Sequence, residues 1–309
     1  MKTRVSVCGS LAYDRIMDFP GYFSDHILPE KIHVLNVCFH VNGMKEKFGG
    51  TAGNIVYALR LMGERPEISA TIGRDYHRYF DWLTKTGIAT NKIKIIEDEF
   101  TASAYITTDQ ANNQITGFHP GAMKHSSRLD FDGLNPEETL LIISPGNLND
   151  MINYPQTCKA KGFDYIFDPG QSLPMLDAKD LAQAIDGCRI LISNDYELDL
   201  IMSKTGLTRG GLLRCAGAII VTLGERGSRI FTPGDQIEIP AVEPKRVEDP
   251  TGAGDSYRGG LISGLLHGKD IKESATMGSV CASFAVECYG TQEYAFSPQE
   301  LNERLQRSS

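Results

Sequence analysis

Five short runs in this sequence are apolar nearly throughout: residues 5–8, 140–143, 165–167, 190–192 and 218–221. A strand with one wet face alternates apolar and polar side chains, so runs of this kind suit strands covered on both faces. Helical patterns separate them, over 55–62, 76–85, 195–203 and 256–266. Each closes on or near a glycine, at Gly63, Gly87, Gly206 and Gly268, as helix ends commonly do. Ser297, followed by Pro298 and then Glu300, marks the start of a last helix. Strand alternating with helix predicts an α/β fold with a mostly parallel sheet between two helical layers. The 309 residues are read as a single domain, 1–309.

Two segments break that rhythm. Over 32–41, Val37, Phe39 and Val41 alternate with Cys38, His40 and Asn42. Ile32 and Val34 have the opposite parity, which predicts a bulge near Leu35 and Asn36. Over 101–118, two strand-like runs flank a polar turn at 109–113. A small one-face-buried sheet, formed by about 14–47 and 97–120 and laid over the main domain as a lid, accounts for both. Ordinary surface hairpins are the simpler alternative. His26, His33 and His40 recur every seven residues and are read as surface residues of that sheet, not as metal ligands.

Composition narrows the partners. The chain carries 31 Lys and Arg against 39 Asp and Glu, a net charge of −8. Nucleic acid and anionic membranes attract basic surfaces, so neither is expected as a partner. A small anion is still compatible, because backbone amides bind phosphate without lysine. No run approaches the roughly 18 apolar residues of a membrane span. The apolar start over 5–13 is short and interrupted by Ser6, Gly9 and Ser10, unlike a signal peptide. The seven cysteines are scattered, with no CxxC and no zinc-ligand spacing. Reduced thiols and a cytoplasmic location are the expectation.

The segment Asp249-Pro250-Thr251-Gly252-Ala253-Gly254-Asp255 precedes an apolar helix. Small residues at a helix start let the backbone approach a ligand closely, and the amides and helix dipole there attract an anion. Asp255 falls in the first turn, where the dipole favours its ionised form, so it could accept a proton. A glycine-rich turn whose Asp255 only complements the dipole is the plain alternative. A dinucleotide fingerprint fails, because Tyr257 stands where its third glycine belongs.

A second glycine-rich site, Gly49-Gly50-Thr51-Ala52-Gly53-Asn54, opens another helix. Together, in this order and at this separation, the two sites resemble the two signatures of the PfkB, or ribokinase-like, family of carbohydrate and nucleoside kinases. Val56 departs from the small residue usual in that family, which implies a local packing adjustment. The likeness covers essentially the whole chain. It is strongest to the bacterial adenosine kinases, through residues 9–14, Phe19-Pro20-Gly21 with Leu28-Pro29-Glu30, 118–123, 194–197 and Gly290-Thr291-Gln292-Glu293.

The resemblance implies a three-layer α/β/α ribokinase-like domain with a small β-sheet lid. It implies that Asp14 accepts hydrogen bonds from two ribose hydroxyls, that the backbone at Gly49 and Gly50 reaches the sugar, and that Asn54 binds there too. Ser10 belongs to the same pocket, and Phe118 stacks on a purine. Relatives place a further aromatic near Ala104, so one wall of that pocket differs here. Asn194 and Glu197 form the element that organises magnesium, largely through water, and Thr222, Gly224 and Gly227 belong to the nucleotide turn. A monovalent cation such as K+ beside Asp249 and Thr251 occurs in many relatives, as does a homodimer through the lid. Plain alternatives stand beside these roles: a surface turn at Asp14, a helix start at Asn54, lid core at Phe118, and a capping box at Asn194 and Glu197.

The reaction implied is transfer of the ATP γ-phosphoryl group to the 5′-hydroxyl of a purine nucleoside, adenosine foremost, giving AMP. Asp255 is then the general base, and the amides of Gly252, Ala253 and Gly254 stabilise the transferring charge. A sugar kinase acting on ribose is the rival within the family. A non-catalytic nucleoside or sugar sensor is the rival of another class.

Overall fold

The computed structural model describes residues 2–34, 36–111 and 113–307. An eight-stranded sheet runs through its centre. From one edge the strands are Asp235–Ile239, Ser228–Thr232, Ile219–Thr222, Ile190–Asn194, Asp164–Phe167, Thr139–Ile143, Arg4–Cys8 and Glu67–Ser69. The first two form an antiparallel hairpin at the edge, and the rest pair in parallel.

All five apolar runs lie in this sheet, and successive residues feed two cores. Leu140 and Ile142 face one, Leu141 and Ile143 the other. Ile190 and Ile192 oppose Leu191 in the same way. Helices Thr51–Leu61, His77–Lys85, Ala253–Leu266 and Ile271–Ala285 cover the first face. Helices Leu148–Lys161, Ala178–Ile185 and Asp195–Thr205 cover the second. Both faces being apolar removes the alternation from the sequence. The carboxyl ends of the parallel strands, at Cys8, Ile143, Phe167, Asn194 and Thr222, share one rim. Ligands of open α/β sheets bind at such a rim.

Helices Thr51–Leu61 and Ala253–Leu266 begin earlier than their apolar periodicity, because their first turns are rich in small residues. Val56 is fully buried in the first core. The last helix, Pro298–Arg307, opens as expected: Glu300 N–H donates to Ser297 Oγ at 3.2 Å, and Ser297 N–H to Glu300 Oε2 at 2.8 Å.

A second, four-stranded sheet has the order Met44–Gly49, Ala12–Asp18, Ala102–Thr108, Gln114–His119. The hairpin from 101–118 forms as the sequence predicts. Asp109 closes it by accepting N–H bonds from Ala111 and Asn113, and one from Phe23. Asn112, inside that turn, lies outside the described residues.

The strand expected over 32–41 does not form. Pro29–Val34 is a 3-10 helix, residues 36–43 form no strand although Asn42 N–H donates to the Asp18 carbonyl at 3.0 Å, and Met44–Gly49 supplies the missing partner. The register explains this. Gly49 pairs with Ala12 and Met44 with Met17, so the ladder is exhausted before residue 41 is reached. The alternation records one-sided packing instead. The Phe39 ring lies 4.9 Å from Phe19 and 5.0 Å from Phe23. Leu35, at the expected bulge, is outside the described residues. His26, His33 and His40 are therefore not on a sheet. Among the described residues, no three His, Cys, Asp or Glu side chains gather to hold a metal, and no helix is long and apolar enough to cross a membrane.

Ile142, in a central strand, has no exposed surface. Ile142→Ala is expected to cost about 2–5 kcal/mol, read from the urea midpoint. A shift no larger than that of a surface substitution would contradict burial on both faces.

Candidate active site

Two helix N-termini meet at the rim of the large sheet. Gly50 precedes helix Thr51–Leu61, and Gly252 precedes helix Ala253–Leu266. Gly252 has φ +78°, and a Cβ there would come within 2.9 Å of Thr291. Only glycine suits a backbone that is both left-handed and crowded. Asn54 Nδ2 donates to Asp255 Oδ2 at 2.8 Å, tying the two helices together. Ser10 and Thr51 close the floor. Thr51 N–H donates to Ser10 Oγ at 3.1 Å, and Thr51 Oγ1 to the Pro145 carbonyl at 2.7 Å.

Beside them opens a cleft of about 440 Å³. Asn194, Glu197, Thr222, Gly224, Gly252, Gly254 and Asp255 all line it, though they come from three separate stretches of sequence. Gly227 and Ala253 do not. Gly227 closes the turn by donating its N–H to the Gly224 carbonyl at 3.0 Å, and the Ala253 N–H turns back onto the Pro250 carbonyl at 3.2 Å. Asn194 and Glu197 form a full capping box, with bonds of 2.7 and 2.8 Å.

The small sheet contributes the other half. Across it, Lys47, Asp14, Ala104 and Phe118 stand directly opposite one another in one row. Such residues share a face. Gly49 lies beside that row, and a Cβ at Gly49 would meet Asp14 Oδ2 at 2.5 Å. Phe118 is 52 % exposed, so it is not part of a buried core.

Electrostatics set the carboxylates apart. Burial pushes Asp255 up to about 6, opposed by Arg258 and by the Asn54 hydrogen bond. Burial also pushes Asp14 up to about 6, helped by the Asp249 charge. Burial raises Glu197 as well. Asp249 accepts N–H bonds from Thr251 at 2.9 Å and Gly290 at 3.1 Å, which commits its carboxylate to tying the loop.

Sequence reasoning missed Arg258 and Asp168. Arg258 is 7 % exposed and Asp168 2 %, and they form a forked pair, with Arg258 Nη2 2.8 Å from Asp168 Oδ1. Arg258 Nη1 also donates to the Gly254 carbonyl at 2.9 Å. A lone arginine within an apolar helical run was the available signal, since a charge is buried only when paired. Gln292, also missed as a site residue, donates to Asn54 Oδ1 at 3.0 Å.

Asp168 is held by Arg258 and Asp195 by Arg226, so of these acids Glu197, with one oxygen outside its cap, is the one that could hold a magnesium ion, and then through water.

Residues 11–298 match the family described as pfkB family carbohydrate kinase. A nucleoside kinase of Methanocaldococcus jannaschii is 33 % identical over 281 residues, covering 90 % of this chain and 92 % of the relative. The solved structure of a Burkholderia thailandensis nucleoside kinase in complex with inosine superposes with a TM-score of 0.86 at 37 % identity, covering 98 % of this chain and 97 % of the other. The same enzyme in complex with ADP-inosine gives 0.84 at 38 %, covering 98 % and 95 %. With both glycine turns, the paired helix starts and the small sheet in place, the chain belongs to the pfkB family of carbohydrate kinases, phosphotransferases that act on a hydroxyl acceptor.

Proposed function

We propose that this enzyme transfers the γ-phosphoryl group of ATP to the 5′-hydroxyl of a purine nucleoside, adenosine foremost, to give AMP. The row Asp14, Ala104, Phe118 carries this reading. Two strand steps of about 4.8 Å separate its ends. That span suits a ribonucleoside, whose base projects from C1′ several bond lengths beyond the 2′,3′-diol. Free ribose has no base to reach Phe118. The nucleoside kinase relatives, one of them solved with inosine, support the same class.

In this mechanism Asp14 accepts hydrogen bonds from the 2′- and 3′-hydroxyls, with Ser10, Gly49 and Gly50 shaping the sugar pocket and Phe118 against the base. Asn54 acts mainly through Asp255, because its Nδ2 and Oδ1 are both engaged within the protein. Asp255 takes the 5′-hydroxyl proton on the oxygen that Asn54 leaves open. Gly252 and Gly254 turn their amides and the helix dipole toward the transferring group. Ala253 supports that turn through Pro250. Asn194, Thr222 and Gly224 line the ATP side of the cleft, and Gly227 holds their turn. Magnesium, when bound, would neutralise charge on the ATP phosphates, and Glu197 would hold it through water. The small sheet acts as a lid that excludes water, a competing acceptor.

ATP consumption is to be measured with adenosine, inosine, guanosine, ribose and fructose 6-phosphate. Turnover is expected with the nucleosides, and activity on sugars alone would refute the nucleoside reading. Binding without any turnover would favour a sensor.

Asp255→Asn is expected to lose at least about 10²-fold in kcat. Its melting temperature at pH 7 should hold or rise. The folded carboxyl titrates near 6, above its unfolded value, so its charge opposes folding at neutral pH and the difference fades as pH falls. Near-normal turnover would remove Asp255 from the base role.

Asp14 and Asp255 must both be ionised, so kcat/KM should rise through about pH 6 and level off above it. Below that point the slope should approach two, falling to one in Asp14→Asn. An unchanged slope would show that Asp14 does not titrate in the free enzyme's active form.

A further inference from the structure

The polar chain behind Asp255 runs in one direction only. At its far end is Trp82, whose indole N–H can only donate. It donates to Gln292 Oε1 at 2.8 Å. That fixes the Gln292 amide, whose Nε2 donates to Asn54 Oδ1 at 3.0 Å. Asn54 is fixed in turn, and its Nδ2 donates to Asp255 Oδ2 at 2.8 Å. An ionised carboxylate can only accept, so both ends demand the same polarity. Gln292 also donates to Tyr79 Oη at 2.9 Å, and Tyr79 donates to the Gly49 carbonyl at 2.7 Å. Gln292 is 2 % exposed, so bulk water does not compete for these bonds.

We infer that Gln292 is a positioning residue for phosphoryl transfer: held by Trp82, it locks the Asn54 amide so that Asn54 donates to Asp255 and leaves the other carboxylate oxygen to take the acceptor's proton. This rests on the reading of Asp255 as the base. Gln292 touches neither acceptor nor ATP in this scheme. Its neighbours pin it from several sides. Thr291 Oγ1 donates to the Phe48 carbonyl at 3.0 Å, Lys47 pairs with Glu293 at 2.7 Å, and Tyr57 donates to the Tyr294 carbonyl at 2.6 Å.

Without Gln292 the Asn54 amide is free to turn its oxygen toward Asp255. A carbonyl facing a carboxylate disfavours the charged form and raises the carboxyl pKa. The other groups around Asp255 stay in place. They are Arg258 on its own helix, Asp168 after strand Asp164–Phe167, Asp14 on the small sheet and the Tyr294 phenol.

The test uses Gln292→Met, which keeps length without polarity, and Gln292→Glu, whose carboxylate requires Asn54 to donate away from Asp255. Both are assayed with adenosine and ATP across pH, after thermal melts establish folding. A fall in kcat of about 10- to 100-fold is expected, with KM for adenosine little changed and the acid limb of the rate profile moved to higher pH. Gln292→Glu should be the more severe. A merely structural role would leave the acid limb where it is, so an unmoved limb, whether or not kcat falls, overturns the inference. If neither variant folds, Trp82→Phe decides. It removes the N–H that orients Gln292, along with part of the ring between Phe48 and Tyr57, and should move the limb in the same direction by less; an unmoved limb overturns the inference there too. Asp255→Asn, assayed in parallel, separates the two levels. An inactive Asp255→Asn beside an unaltered Gln292→Met defeats this inference alone, whereas an active Asp255→Asn defeats the base reading and this inference with it.

Discussion

Asn54 and Asp255 lie 201 residues apart and share one hydrogen bond of 2.8 Å. That bond requires two helices from opposite ends of the chain to begin side by side. The packing beneath it is built for such closeness. A Cβ on Gly259 would fall 2.4 Å from the Ala58 Cβ, so the helices touch where one has no side chain. Each helix then brings its own amides to the rim of the sheet, one start beside the small sheet and the other beside the cleft. Moving either helix by the width of a methyl group would part the carboxylate from its donor.

The large sheet was legible because its chemistry is uniform. Runs such as 140–143 have apolar side chains on both faces, and no other element suits them at that length. The glycine turns were legible for a different reason. Gly252 sits where any side chain would collide with Thr291, so the residue type itself records the geometry. The small sheet was half legible. Its hairpin carried a clear polar turn, but the strand Met44–Gly49 reads Met-Lys-Glu-Lys-Phe-Gly, and its ladder depends on where Gly49 must stand to enter the next helix. Packing on Phe19 and Phe23 imitated a strand over 37–41 without any partner to pair with. Asp168 and Gln292 stayed hidden, because each matters through a residue far away in sequence and local spacing cannot express that, and Arg258 left only the trace of a lone arginine in an apolar helix.

Charge is arranged in a similar long-range way. The chain is acidic overall, yet in the proposed reaction its cleft takes the phosphates of ATP. Arg258 is buried behind the Gly252 turn and paired with Asp168, and its charge opposes from within the effect of burial on Asp255 and Glu197, partly offset by Asp168 itself. In a medium of low polarisability, one fixed cation at the right depth influences a site more than several on the surface. The helix dipole adds to it without any net charge.

Trp82 is the single tryptophan of the chain. Its ring lies between Phe48, stacked at 5.4 Å and 6°, and Tyr57, at 5.9 Å and 25°. Phe48 belongs to the small sheet and Tyr57 to the helix that carries Asn54. One indole thus touches the mobile-lid candidate, the helix scaffold and the amide chain at once. The molecule carries its own optical gauge: under excitation at wavelengths too long for its 12 tyrosines to absorb, emission from the unlabelled protein comes from this one junction, so a sliding of the small sheet against Trp82 would register in its intensity and colour.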